Sequence, residues 1–126
     1  MMATVAVDFD GVIHRYSRGW DDGTIYDEPV EGAFDALRTL MERHAVFIFT
    51  TREAESVANW MKERGGFAVT TRVPGQFWNK RGVLLVTDRK LPAIAYVDDR
   101  AVQFHDWQQA LADIAPFEPR KQGADR

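Results

Sequence analysis

The chain has 126 residues, of which 45% are hydrophobic and 12% aromatic, and its formal net charge is -3. These values fit one ordinary globular domain and exclude both a disordered chain and a bulk polyanion binder. The absence of cysteine excludes disulfides, thiolate metal ligands and a cysteine nucleophile. No apolar run approaches the roughly 20 residues that span a bilayer, and no basic-then-apolar leader opens the chain, so we expect a cytoplasmic protein with no membrane association.

The predicted elements alternate between strands and helices, which is typical of βαβ units and a mostly parallel sheet. Strands are predicted over residues 4–9, 45–49, 67–71, 83–86 and 94–97. Helices are predicted over residues 30–43 and 53–64 and around residues 107–114, with Gly65-Gly66 ending the second helix. We therefore expect a single α/β domain over residues 1–115 with a mostly parallel central sheet, followed by a flexible tail over residues 116–126.

An insert over residues 12–28 separates the first strand from the first helix and contains the dipeptide Asp22-Gly23. Asp-Gly between apolar runs is a strong turn signal, so we expect a short β-hairpin flap there. Because it leaves directly after Asp10-Gly11, the flap either contacts a ligand or forms a surface ribbon without ligand contact. The flap residues that would make such contacts are Arg15, Arg18 and Trp20.

Two pairs of acids follow predicted strands. Asp8 and Asp10 end the first strand, and Asp98-Asp99 ends the last one. Open parallel sheets bind their ligands at the carboxyl ends of their strands. Crowded carboxylates repel each other unless a hard cation or a shared proton relieves them, so this pattern predicts a metal site. The alternative is that these acids cap turns or helices.

A threonine and a lysine lie between the two acid pairs in the sequence. An aspartate attacks phosphorus only where a divalent cation and hydrogen-bond donors neutralise the phosphoryl charge. Thr50, at the end of the second strand, and Lys90, shortly before the last strand, are candidate donors. Thr50 also begins a Thr-x-x-Glu capping box with Glu53, and Lys90 is alternatively a solvated surface cation.

In this order, these residues resemble the four motifs of the haloacid dehalogenase-like (HAD) phosphohydrolase superfamily. Asp8-Phe9-Asp10-Gly11-Val12 resembles the first motif, Thr50 the second, Lys90 the third and Asp98-Asp99 the fourth, so the resemblance covers residues 5–100. It implies a three-layered, Rossmann-like (HAD-like) fold, a bound Mg2+ and phosphoryl transfer through an aspartyl phosphate.

The resemblance also implies a role for each matched residue. Asp8 would be the nucleophile, and Asp10 the general acid and then the base that activates water. Asp8, the backbone carbonyl of Asp10 and Asp98 would bind Mg2+, with Asp99 acting through water or as a second ligand. Thr50 and Lys90 would hold the phosphoryl oxygens. We further expect substrate contacts from Gly11, Thr51 and Arg52, although Arg52 alternatively pairs with Glu55 on a helix surface.

The short connections leave no room for a cap domain, so we expect an open site. In the resembled family, capless members often act on large phosphorylated substrates or rely on a partner subunit for closure. We expect a small phosphorylated molecule, with a nucleic-acid end as a second option. A set of basic and aromatic side chains suits a nucleotide or single strand, although Trp78 alternatively packs in the core. This set comprises Arg72, Phe77, Trp78, Lys80, Arg81 and Arg89.

Two other functions stay open from the sequence. A receiver-type phospho-acceptor domain also uses acids, a hydroxyl and a lysine, but it normally carries an acidic pair on its first strand and the accepting aspartate on its third. The second alternative function is a catalytically silent phosphate-binding module on the same fold. The histidines His14, His44 and His105 show no paired metal spacing and are interpreted as surface or core residues.

Overall fold

The computed structural model describes residues 2–73, 75–98 and 106–114. In chain order its elements are β1 (Thr4–Asp8), α1 (Ala33–Arg43), β2 (Ala45–Phe49), α2 (Ala54–Gly65), β3 (Val69–Thr70), β4 (Leu84–Thr87), β5 (Ala95–Val97) and α3 (Trp107–Ile114). The predicted tail, Asp99 and His105 lie outside the described residues. Within the described ranges, no helix has the length and apolar character needed to cross a membrane.

The five strands form one parallel sheet in the order β3-β4-β2-β1-β5. The predicted α/β, Rossmann-like fold with a parallel sheet is therefore confirmed. The chain moves from β1 through β2 to one side of the sheet and returns on the other side as β5, so the strand order reverses beside β1. Val7 pairs with Val97 in this register, which places Asp8 and Asp98 at the same level on adjacent strands. Such a reversal opens a crevice at the carboxyl ends of the strands.

The inner strands are buried on both faces, as is usual for parallel sheets. One face packs against α1 and α2 through a cluster that includes Val7, Ile48, Val86, Leu37, Val57 and Met61. The other face packs Phe47 and Leu85 against Trp78 and Leu91, which come from irregular segments. Trp78 is 2% exposed, so its alternative placement in the core is confirmed.

Element boundaries differ from the prediction where glycine or core packing intervenes. Helix α1 begins three residues after its predicted start, because its N-cap, Gly32, has a left-handed φ of 82°. Strand β3 is reduced to two residues, and Phe67, which was predicted to begin it, is buried in the core instead. Helix α2 ends as predicted, with Gly66 at a φ of 71° donating its N–H to the carbonyl of Lys62.

Residues 12–28, which we call the insert loop, do not form the predicted β-hairpin. They contain turns, bends and isolated bridges but no strand ladder. The Asp22-Gly23 pair does turn the chain, with Gly23 at a φ of 95°. The flanks are held by side chains instead of a ladder, because Ser17 donates from its N–H (2.9 Å) and its hydroxyl (2.5 Å) to the Asp27 carboxylate.

Candidate active site

A cavity of about 320 Å³ opens at the carboxyl edge of the sheet. The ends of β1, β2 and β5 and the insert loop contribute its walls. Its lining residues are Asp8, Asp10, Tyr16, Phe49, Thr50, Thr51 and Asp98. Five residues of the predicted site are therefore brought together, whereas Gly11, Arg52 and Lys90 do not line this cavity.

The Asp10 carboxylate is held from two sides. Arg52 Nε lies 2.8 Å from Oδ2 and 3.1 Å from Oδ1 of Asp10. His14 Nδ1 lies 2.8 Å from Oδ1. Arg52 is 6% exposed and His14 is 0% exposed, so both contacts are shielded from solvent. Charge-assisted hydrogen bonds in such surroundings are among the stronger ones in proteins.

Arg52 connects the site to the insert loop. Its Nη1 donates to the carbonyl of Gly23 at 2.8 Å. Its guanidinium lies 5.0 Å from the ring centroid of Trp20 and 5.6 Å from that of Tyr16. The alternative pairing with Glu55 does not form, because Arg52 forms its ion pair with Asp10.

Thr50 continues the parallel ladder at the end of β2. Its N–H donates to the carbonyl of Thr87 at 2.9 Å, and its Oγ1 accepts from the N–H of Arg52 at 3.1 Å. Helix α2 has Glu53 as its N-cap, without a side-chain capping bond. The capping-box alternative for Thr50 is therefore wrong. The hydroxyl retains its own hydrogen as a donor at the cavity wall.

Lys90 lies beside β5, outside the cavity lining. Its exposed side chain places Nζ 5.4 Å from the ring centroid of Tyr96. The Tyr96 hydroxyl donates to the carbonyl of Leu91, and burial raises the pKa of this phenol above its ordinary value. The Tyr96 ring in turn packs edge-on against Phe49, which does line the cavity.

The oxygen donors at this edge are of the kind that a hard cation binds. Asp8 and Asp98 line one cavity from adjacent strands, and Asp8 Oδ1 accepts from the N–H of Phe9 at 2.8 Å. The Asp10 carboxylate lies against Arg52 and His14, and the backbone carbonyl of Asp10 is a further oxygen of this residue. In the described part of the chain, no three histidine or acidic residues form a metal-binding group, and Asp99 lies outside that part.

Sequence reasoning missed the place of His14 in this site. The absence of metal spacing led to its interpretation as a surface or core residue, and its ring is indeed fully buried. That interpretation did not include the contact between the His14 ring and the Asp10 carboxylate. The contact forms within a turn outside any helix or strand, so no periodic signal in the sequence points to it. The same holds for Tyr16, which lines the cavity at a φ of 56°.

The predicted basic and aromatic set is divided between different parts of the molecule. Trp78 is buried against the face of the sheet opposite α1 and α2. Arg81 donates to the carbonyl of Glu42, near the end of α1 that leads into β2. Arg89, in contrast, follows β4 at the carboxyl edge and donates to the carbonyl of Gly75 at 3.3 Å. The set therefore does not form one continuous face.

Comparisons with known proteins bear on the fold. No family model matches this chain. No curated protein matches it either. Among solved structures, it is similar to a conserved protein coded by a locus of Bacteroides thetaiotaomicron, with 26% identity and a TM-score of 0.50. The similarity covers 94% of each chain, so it extends over nearly the whole fold. That protein is described only as conserved, so the similarity carries no activity.

Proposed function

We propose that this protein is a Mg2+-dependent, HAD-like phosphatase that hydrolyses a phosphomonoester through an aspartyl phosphate on Asp8. The observation that carries the proposal is the meeting of Asp8, Asp98 and Thr50 at one cavity beside the reversal of strand order. A nucleophilic carboxylate, a second carboxylate and a hydroxyl donor are the groups that this chemistry needs.

The proposed reaction has two steps and begins with a proton on Asp10. An Asp8 carboxylate oxygen attacks phosphorus, the bond from phosphorus to the leaving oxygen breaks, and that oxygen takes a proton from Asp10. Asp10 then removes a proton from water, whose oxygen attacks the aspartyl phosphate and releases inorganic phosphate and the Asp8 carboxylate.

The phosphoryl oxygens need donors and a counter-charge. Thr50 and Thr51 offer hydroxyl groups at the cavity wall, and the flexible stem of Lys90 allows its ammonium to reach inward from the Tyr96 ring. Asp8, Asp98 and the carbonyl of Asp10 would hold Mg2+, which supplies charge neutralisation at the transferring group. Asp99 is a further candidate ligand, and Gly11 and Arg52 would support the site from beside Asp10.

The order of the strands favours this proposal over a receiver domain. Without the short edge strand β3, the order β4-β2-β1-β5 has the 3-2-1-4 pattern of the Rossmann fold. Receiver domains have the flavodoxin-like order 2-1-3-4-5. The acids of this chain also follow its first and last strands, which suits the proposed roles of Asp8 and Asp98.

The substrate that we propose is a small phosphorylated molecule in the cytoplasm. The connections that follow β1 and β2 are single loops, so the cavity would be open and uncapped. An open cavity also accepts the end of a nucleic acid, which is the second option. The proposed class is therefore phosphoric monoester hydrolase, with the identity of the alcohol to be found by screening.

The test is a time course of phosphate release from acetyl phosphate and p-nitrophenyl phosphate, with Mg2+ present and substrate far above protein. We expect many turnovers that are abolished by a chelator and by Asp8→Asn. Asp35→Asn is the matched control, because this acid on α1 has a side chain that is 95% exposed. A single stoichiometric phosphorylation would favour the receiver alternative. Absence of any reaction across a panel of monoesters would favour the silent binding module.

A further inference from the structure

We propose that His14 is a positioning residue that orients the Asp10 carboxylate towards the leaving oxygen, in the tautomer that carries its hydrogen on Nδ1. This inference rests on the proposed phosphatase function, because it concerns the group that would protonate the leaving oxygen. His14 itself does not line the cavity, so it acts through Asp10.

The tautomer follows from the partners of the two ring nitrogens. The backbone N–H of Asp27 donates to Nε2 of His14 at 3.0 Å, so Nε2 carries no hydrogen. A neutral imidazole has one hydrogen, which therefore lies on Nδ1. Nδ1 in turn lies 2.8 Å from Oδ1 of Asp10, an oxygen that accepts. The insert loop thus selects the imidazole tautomer that can hold the Asp10 side chain.

The ring of His14 is fixed in place by its surroundings. It is 0% exposed. It stacks on Phe9 at 5.4 Å between centroids and meets Tyr26 and Trp60 edge-on at 5.3 and 5.8 Å. Its backbone N–H donates to the carbonyl of Phe9 at 2.9 Å, within the tight turn that also carries Asp10. Rotation of the ring would break both hydrogen bonds and disturb these aromatic contacts.

His14 and Arg52 hold different parts of the same carboxylate. The closest contact of Arg52 is to Oδ2, and His14 binds Oδ1. Two donors on two oxygens fix the plane of the carboxylate as well as its position. A displacement of about 1 Å in a catalytic group can cost on the order of 100-fold in rate, so loss of one donor should be visible in turnover.

The test compares His14→Asn with His14→Gln on two substrates. The amide nitrogen of asparagine can take the place of Nδ1, whereas glutamine extends its amide to the position of Nε2. Glycerol phosphate has a poor leaving group that needs protonation, and p-nitrophenyl phosphate has a good one that needs little. For His14→Gln we expect the first-turnover rate of leaving-group release, the step in which Asp10 gives up its proton, to fall roughly tenfold or more on glycerol phosphate and by less than about threefold on p-nitrophenyl phosphate. His14→Asn should recover part of the loss.

His44→Gln is the matched control, because His44 also accepts a backbone N–H, from Ala3 at 3.1 Å, and lies outside the cavity lining. We expect it to leave the ratio of the two rates unchanged. Equal losses on both substrates for His14→Gln, or no recovery in His14→Asn, would show a purely structural role and overturn the proposal.

Nitrogen NMR of the wild-type protein tests the contact without any turnover. We expect the neutral His14 ring to carry its hydrogen on Nδ1, and a hydrogen on Nε2 would overturn the proposal. Absence of turnover in the wild type would instead overturn the phosphatase function. The contact between His14 and Asp10 could then still be found by NMR, but it would have no role in catalysis. The two failures are therefore distinguishable.

Discussion

Arg52 joins Asp10 to Gly23, because its Nε donates to the carboxylate at 2.8 Å and its Nη1 donates to the backbone carbonyl at 2.8 Å. One planar guanidinium thus holds both the candidate acid and the insert loop. The ordering of the loop and the position of Asp10 are linked through this side chain.

Replacement of Arg52 with lysine should disturb both ends of this connection. A lysine ammonium lacks the planar fork that binds two acceptors at once. We expect Arg52→Lys to lower kcat roughly tenfold or more, as displaced catalytic groups do, and to speed amide exchange in the insert loop at the Arg15 N–H, which donates to Glu28. Turnover assays and hydrogen exchange measure the two effects.

Arg72→Lys is the control for this substitution. Arg72 is exposed after β3, and its N–H donates to Thr70 in the same kind of turn that Arg52 forms with Thr50. We expect no change in either measurement for the control. Normal exchange and normal turnover in Arg52→Lys would show that the guanidinium has no coupling role.

Substitution of Thr50 should lower both the stability of the fold and the rate of catalysis. Thr50→Val removes the acceptor of the Arg52 N–H and should cost about 1–3 kcal/mol of unfolding free energy. It should also lower kcat/KM, because the hydroxyl that we propose for phosphate binding is lost. Thr50→Ser should retain most of both properties.

The matched control for Thr50→Val is Thr87→Val. Thr87 is buried, and its Oγ1 accepts from the N–H of Arg89 at 3.0 Å, but it does not line the cavity. We expect a similar loss of stability, measured by denaturant unfolding, with little loss of kcat/KM. An equal fall in kcat/KM for both variants would contradict a specific role for the Thr50 hydroxyl.

The sequence was most informative where local pattern and burial agree. Strand β2 has the predicted bounds, because a continuous apolar run suits a strand that is buried on both faces. Asp8, Thr50 and Asp98 could be expected at one edge, because parallel strands bring their carboxyl ends together. Lys90 sits on an irregular segment, where no strand register determines its direction, and it lies over Tyr96 instead.

The insert loop could not be derived in the same way. Its turn at Asp22-Gly23 is a local signal and was predicted, but its flanks are held by contacts between residues distant in sequence. Arg52 reaches Gly23 across 29 positions, and His14 accepts from Asp27 across 13. Such side-chain contacts carry no periodicity, so a hairpin was the natural but incorrect expectation.

The insert loop should weaken in acid through Asp27. Hydrogen bonds from the Ser17 hydroxyl and N–H, and then from the Glu28 N–H, hold the pKa of the Asp27 carboxyl well below its ordinary value of 3.8. A carboxyl with a lowered folded pKa stabilises the fold above the unfolded pKa, and this stabilisation is lost as the pH falls from about 3.8 towards the folded pKa. We expect the protection of the Ser17 N–H, measured as its exchange rate relative to the intrinsic rate at each pH, to fall over that range.

Ser17→Ala removes the hydroxyl that is the largest cause, so the pKa of Asp27 should rise towards its ordinary value. Carbon NMR of the carboxyl groups as a function of pH measures this. Asp22 provides an internal control, because its pKa is lowered by hydrogen bonds from Thr24 and should not respond to Ser17. An unchanged Asp27 titration in Ser17→Ala would contradict the assigned cause.

Gly65 is required by packing at the end of α2. A Cβ at this position would lie 2.5 Å from the ring of Phe67 and 3.3 Å from that of Phe34. Phe67 is 6% exposed, and its ring lies under the guanidinium of Arg38 at 4.6 Å, so the ring has little room to move. Helix propensity alone would predict that Gly65→Ala gains about 1 kcal/mol. Overpacking costs about 1–3 kcal/mol, so we expect a net loss of unfolding free energy in denaturant titrations.

Gly75→Ala is the control, because a Cβ there meets nothing within 4 Å and the φ of this residue is not left-handed. A gain in Gly65→Ala that exceeds the change in Gly75→Ala would mean that the Phe67 ring yields, and that propensity outweighs packing at this helix end.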